Sequence, residues 1–372
     1  MRRVSLIDLQ ANQTLAWEIF NAKGDLVWGR GQILPDLENL RILLEQGLFT
    51  PATLNNGSAE GAAQNPDESP SVLRLINHNN KQLEKLLPIL GGRLDAESEL
   101  NEITHNLIQA LAIDTDVALA CIFLNQIGGI YAVRHCIETA IVALLIAQAQ
   151  GKTMRELSTI GKICLTMNVG MLNFHEQLQD RRSILSAEEQ RSIERHPEQS
   201  VNILRQAGIE DEEWMNGILH HHENDDGSGY PFGKSRAEIP EQARLVSIAD
   251  RYCAQVSARN YRKSITPDLA AKSLGLPVAS DDGLHQLFMQ EIGLYPPGTL
   301  VQLENLEIGV VHARQAHAAP SAYALLGPAG KLATPEKRNC AQEKYRIQRA
   351  LHEDEVNLRI GMKQIWGAHA AL

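Results

Sequence analysis

Residues 218–231, ILHHHENDDGSGYP, carry the densest polar chemistry in this chain. Three consecutive histidines, His220, His221 and His222, close an apolar stretch that holds Trp214, Ile218 and Leu219. An acidic, glycine-rich loop follows at once. Neutral imidazoles side by side at a helix end each offer one ring nitrogen, which is what a transition-metal site requires. A solvated loop with ordinary turn chemistry is the competing reading of the same residues.

Further polar residues stand out on apolar background. Asp250 lies in RLVSIADRYCAQV, among Leu245, Val246, Ile248 and Ala249, on a helix that Pro240 opens. A carboxylate buried there needs a partner: an arginine such as Arg251 or Arg259, a metal, or a histidine. His135 begins a predicted amphipathic helix, whose Ile137, Ala140, Ile141, Leu144 and Leu145 recur at helical spacing. His196 precedes Pro197, where a helix must break and restart. Ser186 and Glu189 form a capping box for the helix running up to Arg195.

The rest of the chain divides by texture. Residues 15–34 read as two short strands about Lys23-Gly24-Asp25, and a helix is expected from Pro35, with Leu40, Leu43 and Leu44 buried and Gly47 ending it. No phospho-acceptor pattern is evident there. Residues 55–71, NNGSAEGAAQNPDESPS, have the composition of a linker. Helical signals dominate from about 75 to 275. After 290, YPPGTLVQLENLEIGVVHAR alternates between turn signals, and AYALLGPAGKL reads as a hairpin. The expected organisation is a small αβ module over 1–54, a linker over 55–74, a helical domain over 75–290, and a β or irregular extension over 291–372.

With 44% hydrophobic residues the chain can build a sizeable core. Its net charge of −10 argues against a nucleic-acid or anionic-membrane surface. Five scattered cysteines without a CxxC spacing suggest free thiols in a reducing compartment. The N-terminal segment lacks an apolar signal core, and the apolar run from Ile141 to Ala147 reads as too short to span a bilayer. A cytoplasmic protein is expected.

Taken in order, His135, His196, His221-His222 and Asp250, with Gly229-Tyr230-Pro231, resemble the HD-GYP family of the HD phosphohydrolase superfamily. The resemblance spans roughly residues 110 to 310 and includes ERHPEQSVNIL, HHENDDGSGYPFG, IADRYCAQVSARNYR and YPPGTLVQL. It implies a mainly α fold: an HD-type helical bundle with the small N-terminal αβ module and small C-terminal β element. It also implies two or three metal ions and hydrolysis of cyclic di-GMP.

The pattern breaks in ICLTMNVGMLNF. Met167 and Asn168 stand where the family places its His-Asp pair, and Met171 stands where it places a lysine. Apolar spacing persists at Ile163, Leu165, Val169 and Leu172, so the helix should survive. A neutral amide cannot balance two dications, and a thioether suits soft ions. Removing a single electrostatic stabiliser typically costs on the order of 10²–10³ in rate, so three changes should leave essentially no catalysis. Tyr131 occupies the place of the glutamate that supplies a third metal in the family, which argues against a trinuclear site.

The expectation is therefore a catalytically degenerate HD-GYP protein in cyclic di-GMP signalling, acting as a ligand-binding or protein-interaction module. His135, His196, His221, His222 and Asp250 are its metal-site remnant. No tightly bound metal is expected, the alternative being one transition metal (Zn, Mn, Fe or Ni) on the histidines. Arg259, Arg262 and Lys263 are candidates for the dinucleotide phosphates. Gly229, Tyr230 and Pro231 are the candidate contact loop for a GGDEF-containing partner, with the Tyr-Pro pair exposed. An active phosphodiesterase with a reduced metal site and a pure interaction scaffold are the two rival readings.

Overall fold

The computed structural model describes residues 2–3, 19–21, 26–28, 48–50, 70–172, 174, 186–257, 264–274, 283–314, 318–356 and 360–371. Contacts divide the chain into Met1–Glu68 and Ser69–Leu372. In the first unit β1 (Arg2–Arg3), β2 (Ile19–Asn21), β3 (Leu26–Trp28) and β4 (Leu48–Thr50) form a sheet of order β1-β4-β2-β3. The expected strand pair is present: β2 and β3 are antiparallel, with Ile19 opposite Trp28. The helix expected from Pro35 lies outside the described residues.

The second unit begins with α1 (Val72–Leu86), whose Ser71 hydroxyl accepts from Arg74 N at 3.1 Å. This start lies inside the tail of the expected linker, because Ser71 is a competent N-cap followed directly by buried Val72 and Leu73. Helix α2 (Ala96–Phe123) is interrupted at Asp114, whose carboxylate recaps the second half through Val117 N at 3.1 Å. Next come α3 (Tyr131–Ala149) and α4 (Met154–Thr166). Thr153 and Glu156 form a capping box at the start of α4.

Helix α3 is not amphipathic, contrary to the sequence reading. Besides the five stripe residues, Val133, Cys136, Val142, Ala143 and Ile146 are buried, as are the polar His135, Glu138 and Thr139. It is the central helix, packed against α2, α4 and α8 (Glu241–Val256). By length and composition alone both α2 and α3 could cross a membrane, so the run around Ile141 belongs to a longer apolar helix than expected. The apolar window of α3 is 83% buried by its own protein, as a helix apolar all round must be.

Three shorter helices build the other wall of the domain: α5 (Ala187–Glu194), α6 (His196–Gln206) and α7 (Glu212–His220). The Ser186–Glu189 capping box is formed as expected, with Ser186 N donating to Glu189 Oε2 at 2.7 Å. The break at Pro197 is also found, since α6 restarts at His196. After α8, helices α9 (Pro267–Ser273) and α10 (Leu284–Glu291) lead to an antiparallel sheet. That sheet joins β5 (Leu300–Leu303), β6 (Ile308–Ala313), β7 (Ser321–Gly327), β8 (Gly330–Asn339) and β9 (Ile347–Leu351) in the order β8-β7-β6-β5-β9. β7 and β8 are the expected hairpin. The short α11 (Met362–Trp366) leads into a 3₁₀ turn over Gly367–Ala370. All five cysteines are free and buried.

Candidate functional site

His135 and Asp250 meet across the α3–α8 contact, with Nε2 and Oδ1 2.8 Å apart. Both are almost fully buried. Burial alone would push the Asp250 carboxyl up. The hydrogen bond and charge of His135, with the charges of His222 and His221, hold it far below the carboxylate range instead. Of the partners considered for Asp250, the histidine is the one found among the described residues, Arg259 lying outside them. Arg251 points elsewhere, donating to Ser247 O at 3.3 Å. One turn before His135, Tyr131 stacks on its imidazole with ring centroids 5.5 Å apart.

A second cluster gathers His196 from the start of α6 with His221 and His222 from the end of α7. One ring nitrogen from each falls within 4.8 Å of the others. His196 Nδ1 lies 2.5 Å from the carbonyl oxygen of Ile193, and His221 Nδ1 lies 2.6 Å from that of Ile218. A carbonyl only accepts, so each Nδ1 carries the hydrogen and the Nε2 of each neutral ring presents a lone pair. Those two Nε2 atoms face each other at 3.3 Å.

Two facing lone pairs repel unless a cation lies between them. Burial lowers the pKa of His221 and, more strongly, that of His222, so neither ring favours holding a proton as that cation. A metal ion is a good one. Backbone carbonyls that fix the tautomer and aim the second nitrogen are the usual support of ligating histidines. His222 keeps an edge at the surface, although protein atoms enclose its ring closely, and Tyr230 stacks on it at 4.7 Å.

The loop after α7 is pinned by a residue that the sequence reading passed over. Glu223, nearly fully buried, accepts from Phe232 N at 2.7 Å and Lys234 N at 2.8 Å. Gly229 is required by space: a Cβ there would stand 2.4 Å from Asn224 N and 2.5 Å from His222 O. The Tyr-Pro pair is not the exposed surface that was expected, because Tyr230 turns inward onto His222. The exposed aromatic is Phe232, at 47% of its accessible area.

Met167 caps the C-terminus of α4, and Asn168 opens a short 3₁₀ turn over Val169–Met171. The pair thus sits just past the helix rather than on it. The flanking apolar residues Ile163, Leu165, Val169 and Leu172 are buried as expected. Ser200, one turn after His196, locks this end to α6: its hydroxyl donates to Met167 O at 2.8 Å and accepts from Gly170 N at 2.9 Å. Gly170 permits the contact, since a Cβ would lie 2.6 Å from His196 O. Met167 is fully buried in the apolar core, and Met171 is only partly covered. Asn168 is 3% exposed, and its amide oxygen has no hydrogen-bond partner among the described residues. Arg259, Arg262 and Lys263 lie outside the described residues.

Three neutral imidazoles fit a single transition ion. A second ion does not fit: no histidine in the chain is followed by aspartate, Met167 offers a thioether sunk in core, and Asp250 is already bonded to His135.

The profile of the HD domain matches residues 132–280. Among characterised proteins, a cyclic di-GMP phosphodiesterase of Pseudomonas aeruginosa is 29% identical over 184 residues, covering 49% of this chain and 44% of that protein. Residues 132–280 of this chain are thus similar to an HD domain, in line with the HD-GYP resemblance of the sequence. The cyclic di-GMP phosphodiesterase response regulator RpfG of Xanthomonas campestris is 32% identical over 132 residues, covering 35% of this chain and 34% of its own. A 3'3'-cGAMP-specific phosphodiesterase of Vibrio cholerae is 26% identical over 162 residues, covering 42% and 37%. The matches therefore span less than half the length of these relatives. An HDG"Y"P protein from Bdellovibrio bacteriovorus aligns with a TM-score of 0.48 at 16% identity, over 77% of this chain and 97% of that one.

Proposed function

We propose that this HD-GYP protein is a non-hydrolytic module of cyclic-dinucleotide signalling that keeps one metal ion on His196, His221 and His222. The observation that carries the reading is the facing pair of Nε2 lone pairs in His196 and His221, beside a metal-site position filled by Met167 and Asn168. One site calls for a cation, while the position of the second lacks the anionic ligand that would hold it. This favours a single bound metal over the metal-free pocket that the sequence reading preferred.

A single ion there would supply a Lewis-acidic docking point for a phosphate oxygen. The chain's own residues do the rest. Ile193 O and Ile218 O hold the ring tautomers, Tyr230 covers His222, and Glu223 holds the loop in place. A clamp on both attacking and leaving oxygens needs two ions, so binding without turnover is the expected outcome. The relatives act on cyclic di-GMP or 3'3'-cGAMP by their names, which makes a cyclic dinucleotide the ligand class to test. Exposed Phe232 beside Pro231 supports a second role for this loop, as a contact for a partner protein such as one containing a GGDEF domain.

The test is calorimetry with cyclic di-GMP and 3'3'-cGAMP on protein of measured metal content, followed by chromatography for linear products with added Mn²⁺, Fe²⁺ or Ni²⁺. Saturable binding with no product is expected. Metal-dependent hydrolysis would overturn the non-hydrolytic reading. A flat titration would leave only the partner-contact role.

A further inference from the structure

The C-terminal sheet has two faces. Leu300, Val310 and Leu351 join the main helical core, whereas Val301, Leu303, Val311, Ala322 and Cys340 form a second, small cluster on the other side. The alternation along β5 and β6 dictates this, since successive side chains point to opposite faces. Five buried side chains are a thin core, and beside them lies a cavity of about 610 Å³. The space opens to solvent, and small-molecule sites fall in the range of roughly 300–1,000 Å³.

The wall of this cavity is chiefly apolar, with Met289, Ile292, Leu294 and Ile347 prominent. Its charged lining groups are Arg314 and Arg346, the second paired with Glu304 at 3.2 Å. Arg314 is braced from behind. Its Nε donates to Asp116 at 2.9 Å, and its Nη1 donates to Glu291 O at 2.8 Å and Glu291 Oε2 at 3.2 Å. These bonds fix the guanidinium plane and leave Nη2 without a hydrogen-bond partner among the described residues. A half-buried guanidinium with a fixed plane and donors to spare is a prepared anion contact. None of the histidines of the candidate metal site lines this space.

We propose that this cavity binds an organic anion with an apolar body and a single carboxylate head, the head meeting Arg314 Nη2 and the body lying against Ile292 and Ile347. The test uses the full chain and calorimetry with octanoate, 1-octanol and acetate. Octanoate should bind at least tenfold more tightly than either, because only it has both parts. Gln290→Trp, on the exposed side of α10, and Ala319→Trp should each weaken octanoate at least tenfold at unchanged melting temperature. Arg314→Lys should erase the preference for octanoate over octanol. Three results would overturn the proposal: no octanoate binding at millimolar concentration, equal binding of octanoate and octanol, or parental binding by a tryptophan variant that melts like the parent. If Ala319→Trp does not fold, the surface variant Gln290→Trp decides alone.

Discussion

His135 and His196 are similar at first sight: buried imidazoles, each with a polar partner supplied by another helix. Their partners set them apart. His135 meets a carboxylate, so donor and acceptor, or cation and anion, are matched inside the protein. His196 meets a second histidine lone pair to lone pair, in tautomers fixed by Ile193 O and Ile218 O. The first pair is complete as a piece of protein. The second has the donor set of a metal site, as proposed above. His135 is thus satisfied within the folding core, while His196, His221 and His222 are grouped closely enough to hold a metal.

The largest expected effect is on stability. His135→Ala leaves Asp250 as an uncompensated buried charge, and breaking such a pair costs about 3–5 kcal/mol. His196→Ala removes a repulsive contact in metal-free protein and should cost much less there. Urea unfolding of both variants in EDTA measures the difference. Equal losses would mean that the two pairs are alike and that His196 is an ordinary core residue.

Metal content sharpens the comparison next. The parent should purify with about one transition ion per chain by elemental analysis, and His196→Ala or His221→Ala with none. An ion at a hundred times its dissociation constant stabilises by about 2.7 kcal/mol, so EDTA should lower the parent's melting temperature and leave the variants' unchanged. Restoring Met167→His, Asn168→Asp and Met171→Lys together should raise the content above the parent's. No increase would mean that the close Ser200–Gly170 docking has shut the second position.

Much of the fold could be read from local chemistry: the capping box at Ser186, the helix break at Pro197 and the hairpin at 321–339 depend on neighbours in sequence. The errors came where partners are distant. The stripe Ile137, Ala140, Ile141, Leu144 and Leu145 predicts an amphipathic α3 with His135, Glu138 and Thr139 off the stripe. In the fold Asp250 takes up His135, while Arg134 and Ser257 take up Glu138, so that face is buried as well. Tyr230 is expected at the surface with Pro231, and no local signal tells that His222 would stack on it. Glu223 and Ser200 were missed for the same reason, since their roles are hydrogen bonds to segments that only the fold brings near.

The two pairs should also separate by pH in metal-free protein. His221 and His222 have folded pKa values below the ordinary histidine value. The unfolded chain therefore binds more protons, and their contribution is present above about 6.5 and lost as pH falls below it. Asp250 is also depressed, but from about 3.9, so its contribution is lost only in acid. Unfolding free energy measured in EDTA should decline in two stages. His222→Asn should remove much of the upper one, and Asp250→Asn should flatten the lower. A single decline confined to acid would contradict the buried-neutral description of the α7 histidines.

The smallest effect concerns the joint between the two halves of the site. Ser200 accepts from Gly170 N and donates to Met167 O, tying the end of α4 to the helix that presents His196. Ser200→Ala removes both bonds at a buried position, and a lost hydrogen bond costs about 0.5–1.5 kcal/mol, more where a partner stays unsatisfied. A loss of about 1–2 kcal/mol is expected in urea. Metal content should persist, because the rings are aimed by Ile193 O and Ile218 O and not by Ser200. If the ion is lost along with the hydroxyl, the position of His196 depends on the α4 end, and the preserved and altered halves of the site would then be one mechanical unit.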